Sequence, residues 1–270
     1  MPEGDTLARS AAVLRRWLVG GAIMTARAQV GPRLRIGPDL SPLVGMRVTK
    51  VEPRGKQLIM TFEDERHRLT LRSHLGMTGS WHRYRPGEVW RLPSRRATLE
   101  LATESAVAVC FDCPTVELLT DGDLARSRPL RTLGPDLLAP DLDADGAALR
   151  LASAGEQAIG EALLEQRLVA GIGNVVRCEV LFMERVNPWL PVRELDAVTL
   201  QTMVETAARV LRAGAATGRR VTTADPRRGE SLWVYSRAGR PCRRCATLIR
   251  SARQGPDART TYWCPSCQAR

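Results

Sequence analysis

Four cysteines near the end of the chain have the spacing of metal ligands. Cys242 and Cys245 form one CxxC pair, Cys264 and Cys267 form a second, and 18 residues lie between the two pairs. Four thiolates at this spacing are typical of structural zinc sites, which leave no open coordination position for catalysis. We therefore predict one structural Zn2+ in a short module, residues 232–270, which is too small to fold around its own core.

The remaining cysteines do not repeat this pattern. Cys110 and Cys113 form a further CxxC pair, but it has no second pair nearby and lies in a predicted strand. Two buried thiols are favoured there over a metal or redox site. Cys178 lies in a predicted helix and is interpreted as a core residue.

The start of the chain offers a second kind of chemistry, a reactive amine. Met1 precedes a small residue, so we expect its removal, which would leave Pro2 with a free secondary amine. An α-amino group titrates near pH ~8, against ~10.4 for lysine, and is therefore the better nucleophile at neutral pH. Such an amine can form an iminium with a carbonyl-like carbon, and Glu3 could supply a proton. Judged on chemistry alone, a helix that merely begins with Pro-Glu is the favoured interpretation.

A glycine-rich turn provides a third candidate site. Gly171-Ile-Gly173-Asn174 separates two predicted helices, and Asn174 is a good N-cap for the second of them. A helix N-terminus presents N–H groups to anions such as phosphate. The same pattern also occurs in plain helix connections, so on its own it indicates phosphate binding only weakly.

The elements that must position these residues change in type along the chain. Residues 3–18 carry apolar side chains at helical spacing and predict one amphipathic helix, with Pro2 suited to its first position. Between residues 20 and 120, short β-branched or alternating segments predict a mostly β unit: Val48–Pro53, Gln57–Phe62, Arg68–Arg72, Ala97–Leu101 and Ala106–Phe111. Further on, three segments predict helices, and a polar loop follows at 217–230: Ala158–Val169, Val175–Glu184 and Leu195–Leu211.

A Pro- and Asp-rich stretch without periodicity begins at Gly134 and predicts a domain boundary. We therefore predict an N-terminal domain at 1–135, a linker at 136–150, a helical domain at 151–231 and the cysteine module at 232–270.

The charge of the chain points to a polyanionic partner. The net charge is +11, and only two of the 40 basic residues are lysines, Lys50 and Lys56. Residues 1–135 carry 21 basic and 14 acidic side chains, residues 136–225 carry 9 and 13, and residues 226–270 carry 10 and 2. The positive charge is thus concentrated at the two ends. With no long apolar run and no secretory signal, we expect a cytoplasmic protein with reduced cysteines and no membrane partner.

Five motifs follow one another along nearly the whole chain. They are Met1-Pro2-Glu3-Gly4, Arg54-Gly55-Lys56, Ser73-His74-Leu-Gly76-Met77-Thr-Gly79-Ser-Trp81, Gln166-x2-Val169-Ala-Gly-Ile-Gly-Asn174, and the four-cysteine module with Arg259-x-Thr261-x2-Cys264. Together they resemble the formamidopyrimidine-DNA glycosylase and endonuclease VIII family, and most closely its endonuclease VIII-like members. The resemblance implies an α+β multidomain fold: an N-terminal β-sandwich flanked by helices, then a helix-two-turn-helix domain with a zinc-ribbon β-hairpin.

The same resemblance implies a bifunctional DNA glycosylase and abasic-site (AP) lyase of base excision repair. Pro2 would attack C1′ of the damaged nucleotide and form a Schiff base, and Glu3 would transfer a proton at the sugar. Lys56 would be a second essential amine and a phosphate contact. Arg259 would bind the phosphates that flank the lesion and assist elimination.

DNA-binding residues are implied in the same way. Met77, in the loop after His74, would fill the gap left by a flipped nucleotide, and Gly171, Gly173 and Asn174 would hold a phosphate. The implied set of DNA contacts is His74, Met77, Arg131, Gly171, Gly173 and Asn174. The expected partner is damaged DNA, bound by a monomer.

The branch of the family is indicated by three features. Gly4-Asp5-Thr6 resembles endonuclease VIII, whereas the purine-directed branch typically has Glu at the position of Thr6. Residues 111–118 contain no Arg-x-Phe pair, and 217–230 is short for a loop that covers an oxidised purine. These features favour oxidised pyrimidines as substrates. The alternatives are formamidopyrimidine or 8-oxoguanine specificity, and a non-catalytic DNA-binding zinc protein.

Overall fold

A computed structural model describes residues 2–29, 34, 37–223 and 231–269, and it divides the chain into two compact units, 1–131 and 132–270. The division falls close to the predicted end of the first domain at 135. The predicted removal of Met1 and part of the predicted loop, residues 224–230, lie outside the described residues.

In its described residues, the first unit contains one long α-helix, two short α-helices and two four-stranded antiparallel sheets. The strand orders are β1-β6-β7-β5 and β2-β3-β4-β8. The elements are α1 (Gly4–Leu18), β1 (Thr25–Ala28), β2 (Arg47–Arg54), β3 (Gln57–Glu63), β4 (Arg68–His74), β5 (Ser80–Tyr84), β6 (Ala97–Ala102), β7 (Val107–Phe111), β8 (Thr115–Thr120), α2 (Asp121–Arg126) and α3 (Arg128–Arg131).

Helix α1 forms because its apolar residues lie on one face. Leu7, Ala11, Leu14 and Leu18 are all buried in the core that the two sheets share. The prediction that Pro2 occupies the first helical position is wrong. The helix begins at Gly4, Glu3 is its N-cap in an extended conformation, and Pro2 therefore precedes the helix.

The predicted β-sandwich is confirmed. Every residue of the inner strand β7 is buried, because both faces of its sheet are covered. Ala108 and Cys110 pack into the core between the sheets, and Val107, Val109 and Phe111 pack into a second cluster on the opposite face. The three strands that the sequence pattern did not predict, β1, β5 and β8, are all edge strands, whose partly exposed side chains lack clear apolar alternation.

The second unit is helical and ends in a β-hairpin. Its elements are α4 (Ala144–Ala152), α5 (Ile159–Ala162), α6 (Asn174–Met183), α7 (Ala197–Thr217), β9 (Arg250–Gln254) and β10 (Arg259–Trp263). Residues 144–150 of the predicted linker thus lie in α4, which begins where the Asp143 side chain accepts a hydrogen bond from the Gly146 N–H. Phe182 and Cys178 of α6 share a hydrophobic cluster with Val234 and Ile249, so the hairpin module packs on this helix.

The predicted helix at 158–169 is much shorter in the structure. Helix α5 ends at Ala162, and turns follow. The Gln166 side-chain amide donates to the Leu164 carbonyl at 2.9 Å and to the Ile172 carbonyl at 3.1 Å. In a continued helix, main-chain N–H groups would bond to the main-chain carbonyls. Here the Gln166 side chain supplies the donors instead and stabilises a turn.

Candidate functional site

The predicted nucleophile and proton donor lie at the start of α1. Pro2 is half-buried, and Glu3 is 0% exposed. The Glu3 carbonyl accepts hydrogen bonds from the N–H groups of Thr6 and Leu7 at 3.0 and 3.2 Å. The main chain of Glu3 is therefore fixed at the N-terminus of α1.

Thr6 has a local role that the sequence did not reveal. Its Oγ1 accepts a hydrogen bond from the Glu3 N–H at 3.4 Å and donates to Asp5 Oδ1 at 3.2 Å. The same carboxylate oxygen of Asp5 accepts the Thr6 N–H at 2.6 Å, and Asp5 is buried. The Thr6 hydroxyl, on the third residue of α1, thus makes the bond back to the N-cap N–H that completes a capping box.

Lys56 lies at the tip of a tight hairpin. Arg54 pairs with Gln57, so Gly55 and Lys56 form a two-residue loop between β2 and β3. Gly55 has a φ of 56°, which glycine adopts without strain at the first position of a type II′ turn. Gln57 pairs in turn with His74 on β4. The hairpin therefore places the amine of Lys56 on the same sheet as His74.

A buried arginine that the sequence pattern did not single out stabilises this hairpin. Arg72 on β4 donates to Glu117 on β8 at 2.8 and 2.7 Å and to Gln57 Oε1 on β3 at 2.9 Å. Arg72 is buried, and charged residues are rarely buried without such partners. The bidentate pair joins β4 to β8, and the bond to Gln57 links it to the start of β3, immediately after Lys56.

His74 is the last residue of β4, and Met77 lies near the middle of the loop that follows it. The Gly76 N–H donates to His74 Nδ1 at 3.3 Å, so the imidazole helps to shape the loop. Burial lowers the pKa of His74, and the positive charges of Lys56 and Arg72 lower it further. Met77 is 63% exposed, so the loop presents an apolar side chain at the surface.

The lowered pKa of His74 makes stability depend on pH. The unfolded histidine, with a pKa of about 6.5, binds a proton more readily than the folded one, so protonation favours unfolding. The contribution of the neutral, buried imidazole to stability is therefore complete above about pH 6.5 and is lost as the pH falls through the lower pKa of the folded state. We expect the urea midpoint to fall as the solution is acidified below about pH 6.5. The variant His74→Gln should show a weaker dependence, whereas His67→Gln, at an exposed histidine, should behave like wild type. An unchanged pH dependence in His74→Gln would contradict this assignment.

The glycine turn in the second unit is held by Gln166. The Gly171 N–H donates to Gln166 Oε1 at 3.0 Å, and Gly171 has a φ of 104°. The prediction that Asn174 is the N-cap is wrong, because Gly173 is the N-cap and Asn174 is the first residue of α6. The Asn174 side chain instead donates to the Thr260 carbonyl on β10 at 2.8 Å, and only 7% of the residue is exposed. The turn is therefore joined directly to the terminal hairpin.

Arg259 lies at the tip of that hairpin. It pairs with Gln254 at the start of β10, and its guanidinium lies 3.7 Å from the Asp257 carboxylate. Arg131 is exposed at the end of α3 in the first unit. The first unit thus holds Pro2, Glu3, Lys56, His74, Met77 and Arg131, and the second holds Gly171, Gly173, Asn174 and Arg259.

The four predicted zinc ligands come together at the base of the hairpin. Their sulfur atoms all lie within 4.8 Å of one another. The Sγ atoms of Cys245 and Cys264 are 3.4 Å apart, and those of Cys242 and Cys267 are 3.9 Å apart. A tetrahedral zinc with Zn–S bonds of about 2.3 Å requires sulfur separations of about 3.8 Å. The four thiols therefore fit a structural zinc ion.

The fold and the site define a class of protein: a β-sandwich that carries an N-terminal Pro-Glu pair, combined with a helical unit that ends in a zinc-binding hairpin. Among solved structures, the complex of Lactococcus lactis Fpg with abasic-site DNA is similar in fold, with a TM-score of 0.82 and 23% identity over 99% of both chains. At this identity the similarity establishes the fold alone.

Sequence comparison establishes the family. The model for the formamidopyrimidine-DNA glycosylase N-terminal domain matches residues 1–115, and the model for the H2TH domain of the same enzyme matches residues 133–225. A probable endonuclease 8 2 of Streptomyces coelicolor is 41% identical, over 100% of this chain and 94% of that protein. The DNA-(apurinic or apyrimidinic site) lyase Nei2 of Mycolicibacterium smegmatis is 39% identical, over 99% of both chains. The chain belongs to the formamidopyrimidine-DNA glycosylase family, which includes the endonuclease VIII enzymes. None of the described helices has both the length and the hydropathy of a membrane-spanning segment.

Proposed function

We propose that the protein is a bifunctional DNA glycosylase and AP lyase of base excision repair that acts on oxidised bases. The observation that carries this proposal is the Pro2-Glu3 pair, with a buried carboxylate beside the proline that would become the N-terminal amine. The family and the names of its relatives support the same activity.

The chemistry follows from the groups at the start of α1. The Pro2 nitrogen forms a bond to C1′ of the damaged nucleotide as the base leaves with the electrons of the glycosidic bond, and the proton that the amine loses neutralises the departing base. Glu3 protonates the sugar ring oxygen when the C1′–O4′ bond opens, which produces an iminium. Loss of a proton from C2′ then expels the 3′ phosphate and nicks the strand. Water finally releases the enzyme.

Met77 is proposed to fill the space that the flipped nucleotide leaves. Removing a base from the stack costs a few kcal/mol, and an inserted apolar side chain offsets part of that cost. We expect Met77→Ala to slow excision from duplex DNA by about 10-fold. Nicking of single-stranded abasic DNA, which needs no wedge, should change far less.

Met24→Ala provides a matched control, because Met24 is 64% exposed in the same unit. Single-turnover rates of both variants and of the wild type are measured on duplex DNA and on single-stranded abasic DNA. Equal slowing of Met77→Ala and Met24→Ala on duplex DNA would refute the wedge assignment.

Phosphate contacts are proposed for three basic side chains and for the glycine turn with the residue after it: Lys56, Arg131, Arg259, Gly171, Gly173 and Asn174. His74 is proposed to shape the loop that carries Met77. The excess of basic residues at both ends of the chain would make DNA affinity strongly dependent on salt. We also propose that the protein acts as a monomer in the cytoplasm.

Oxidised pyrimidines are the proposed substrates. Support comes from Thr6, whose hydroxyl caps α1 where the purine-directed branch typically has a second carboxylate. The test compares excision of thymine glycol and dihydrouracil with excision of 8-oxoguanine opposite cytosine. Faster excision of the pyrimidines is expected, and a marked preference for 8-oxoguanine would establish the alternative specificity. A protein that binds these duplexes without cutting them would be the non-catalytic alternative.

A further inference from the structure

Helix α6 carries a fully buried arginine to which the proposed mechanism assigns no role. Arg177 is 0% exposed and lies one helical turn after Asn174. Its Nη1 donates to the Gly160 carbonyl at 3.0 Å and to Gln254 Oε1 at 3.4 Å. Its Nη2 donates to Asn174 Oδ1 and to the Thr260 carbonyl, the latter at 3.3 Å. One guanidinium therefore joins α5, the start of α6 and both strands of the terminal hairpin.

All four acceptors of Arg177 are neutral amide oxygens. Within the part of the chain that the structure describes, no carboxylate forms an ion pair with this guanidinium, and its Nε has no hydrogen-bond partner. Burying a charge without an ionic partner is costly, so an arginine in such a place calls for an explanation beyond stability. Arg177 and Arg259 also line the same cavity, of about 410 Å³, together with Arg167 and the carboxylates of Glu161, Glu165 and Asp257. The formal charges of this lining balance, so the hydrogen bonds of Arg177, and not an excess of cations in the cavity, are what its position explains.

The bonds of Arg177 determine how Asn174 is presented. Because Arg177 donates to Asn174 Oδ1, the amide nitrogen of Asn174 points the other way and donates to the Thr260 carbonyl at 2.8 Å. Thr260 directly follows Arg259. The Thr261 hydroxyl and Arg177 both donate to Gln254 Oε1, which fixes the opposite strand of the hairpin. The glycine turn and the tip of the hairpin are thus one hydrogen-bonded structure.

We infer that Arg177 is a positioning residue that holds Asn174 and the Arg259 end of the hairpin together as one preformed phosphate-binding site. This inference rests on the proposed function, since the anion is a DNA phosphate beside the lesion. Arg177 does not touch the phosphate itself. It sets the geometry of the groups that do, and only a planar, forked cation can donate to four acceptors at once.

The experiment measures binding of a short duplex that holds a tetrahydrofuran abasic analogue. Arg177→Met and Asn174→Ala should each weaken binding by about 10- to 30-fold, the effect of losing one or two charge-assisted hydrogen bonds. Arg209→Met, which removes an exposed arginine of α7 in the same unit, should weaken binding by no more than about 2-fold.

The double variant Asn174→Ala/Arg177→Met separates positioning from a general structural role. If Arg177 acts through Asn174 and its neighbours, the double variant should bind about as weakly as Arg177→Met alone. Zinc content and the midpoint of thermal unfolding are measured for every variant. If Arg177→Met does not fold, Arg177→Lys takes its place in the same cycle, because it keeps the charge and loses the fork.

Two results would overturn the inference: binding by Arg177→Met equal to that of Arg209→Met, or losses that simply add in the double variant. Failure of the proposed function would look different, because the wild-type protein would then neither prefer the abasic duplex nor nick an authentic abasic site.

Discussion

Glu3→Gln is expected to slow base excision by about 10²- to 10⁴-fold, the usual contribution of a positioned proton donor. The substitution keeps the size of the side chain and removes only the group that can protonate the sugar ring oxygen. Glu3 is fully buried at the start of α1, and its main chain is held by Thr6 and Leu7. The fold should therefore survive, and affinity for an abasic analogue should change little.

Single-turnover excision of an oxidised base measures this effect, with Glu104→Gln as the control because Glu104 is exposed in the same unit. The control should match wild type. If Glu3→Gln retained more than about a tenth of the wild-type rate, Glu3 could not be the proton donor of the mechanism.

Cys264→Ser is expected to abolish tight zinc binding and, with it, DNA binding. The Cys264 thiol is buried within 3.4 Å of Cys245 Sγ, so its loss removes one of four ligands. Structural zinc contributes about 10–16 kcal/mol to the folding of small modules. The hairpin that carries Arg259 has little core of its own and should become disordered. Metal analysis after dialysis against a chelator and hydrogen exchange of residues 250–263 measure these two effects.

Cys178→Ala is the matched control for this experiment. Cys178 belongs to the same buried cluster as Cys264, but burial raises the pKa of its thiol to about 11, so it stays protonated and is no ligand. This variant should keep one zinc ion per chain and should still bind DNA. Retention of zinc and of hairpin protection by Cys264→Ser would show that the four-thiolate site is not what holds the module together.

The sequence predicted the parts of the fold that depend on local spacing. The buried face of α1 follows from four apolar residues at helical intervals, and the zinc site follows from two CxxC pairs. The two strands on either side of Gly55 and Lys56 follow from the segments Val48–Pro53 and Gln57–Phe62. In each case the interacting residues are close in sequence, or their type alone dictates the partner.

The parts of the fold and of the site that the sequence did not predict depend on contacts between residues distant in sequence. The edge strands β1, β5 and β8 have no clear apolar alternation of their own and form because a neighbouring strand supplies the hydrogen bonds. Arg177 bonds to Thr260, 83 residues away, and Arg72 bonds to Glu117, 45 residues away. No local pattern reveals such partners. The only available signal was a charged residue inside an apolar segment.

The most direct test of the central claim is reduction with borohydride during a reaction with abasic-site DNA, followed by peptide mapping of the trapped complex. The mechanism predicts a covalent adduct on the N-terminal peptide, attached at Pro2 of a chain from which Met1 has been removed. Because Lys50 and Lys56 are the only lysines, the alternative attachment sites are few and easily resolved. No adduct, or an adduct on either lysine in place of Pro2, would contradict the proposed mechanism.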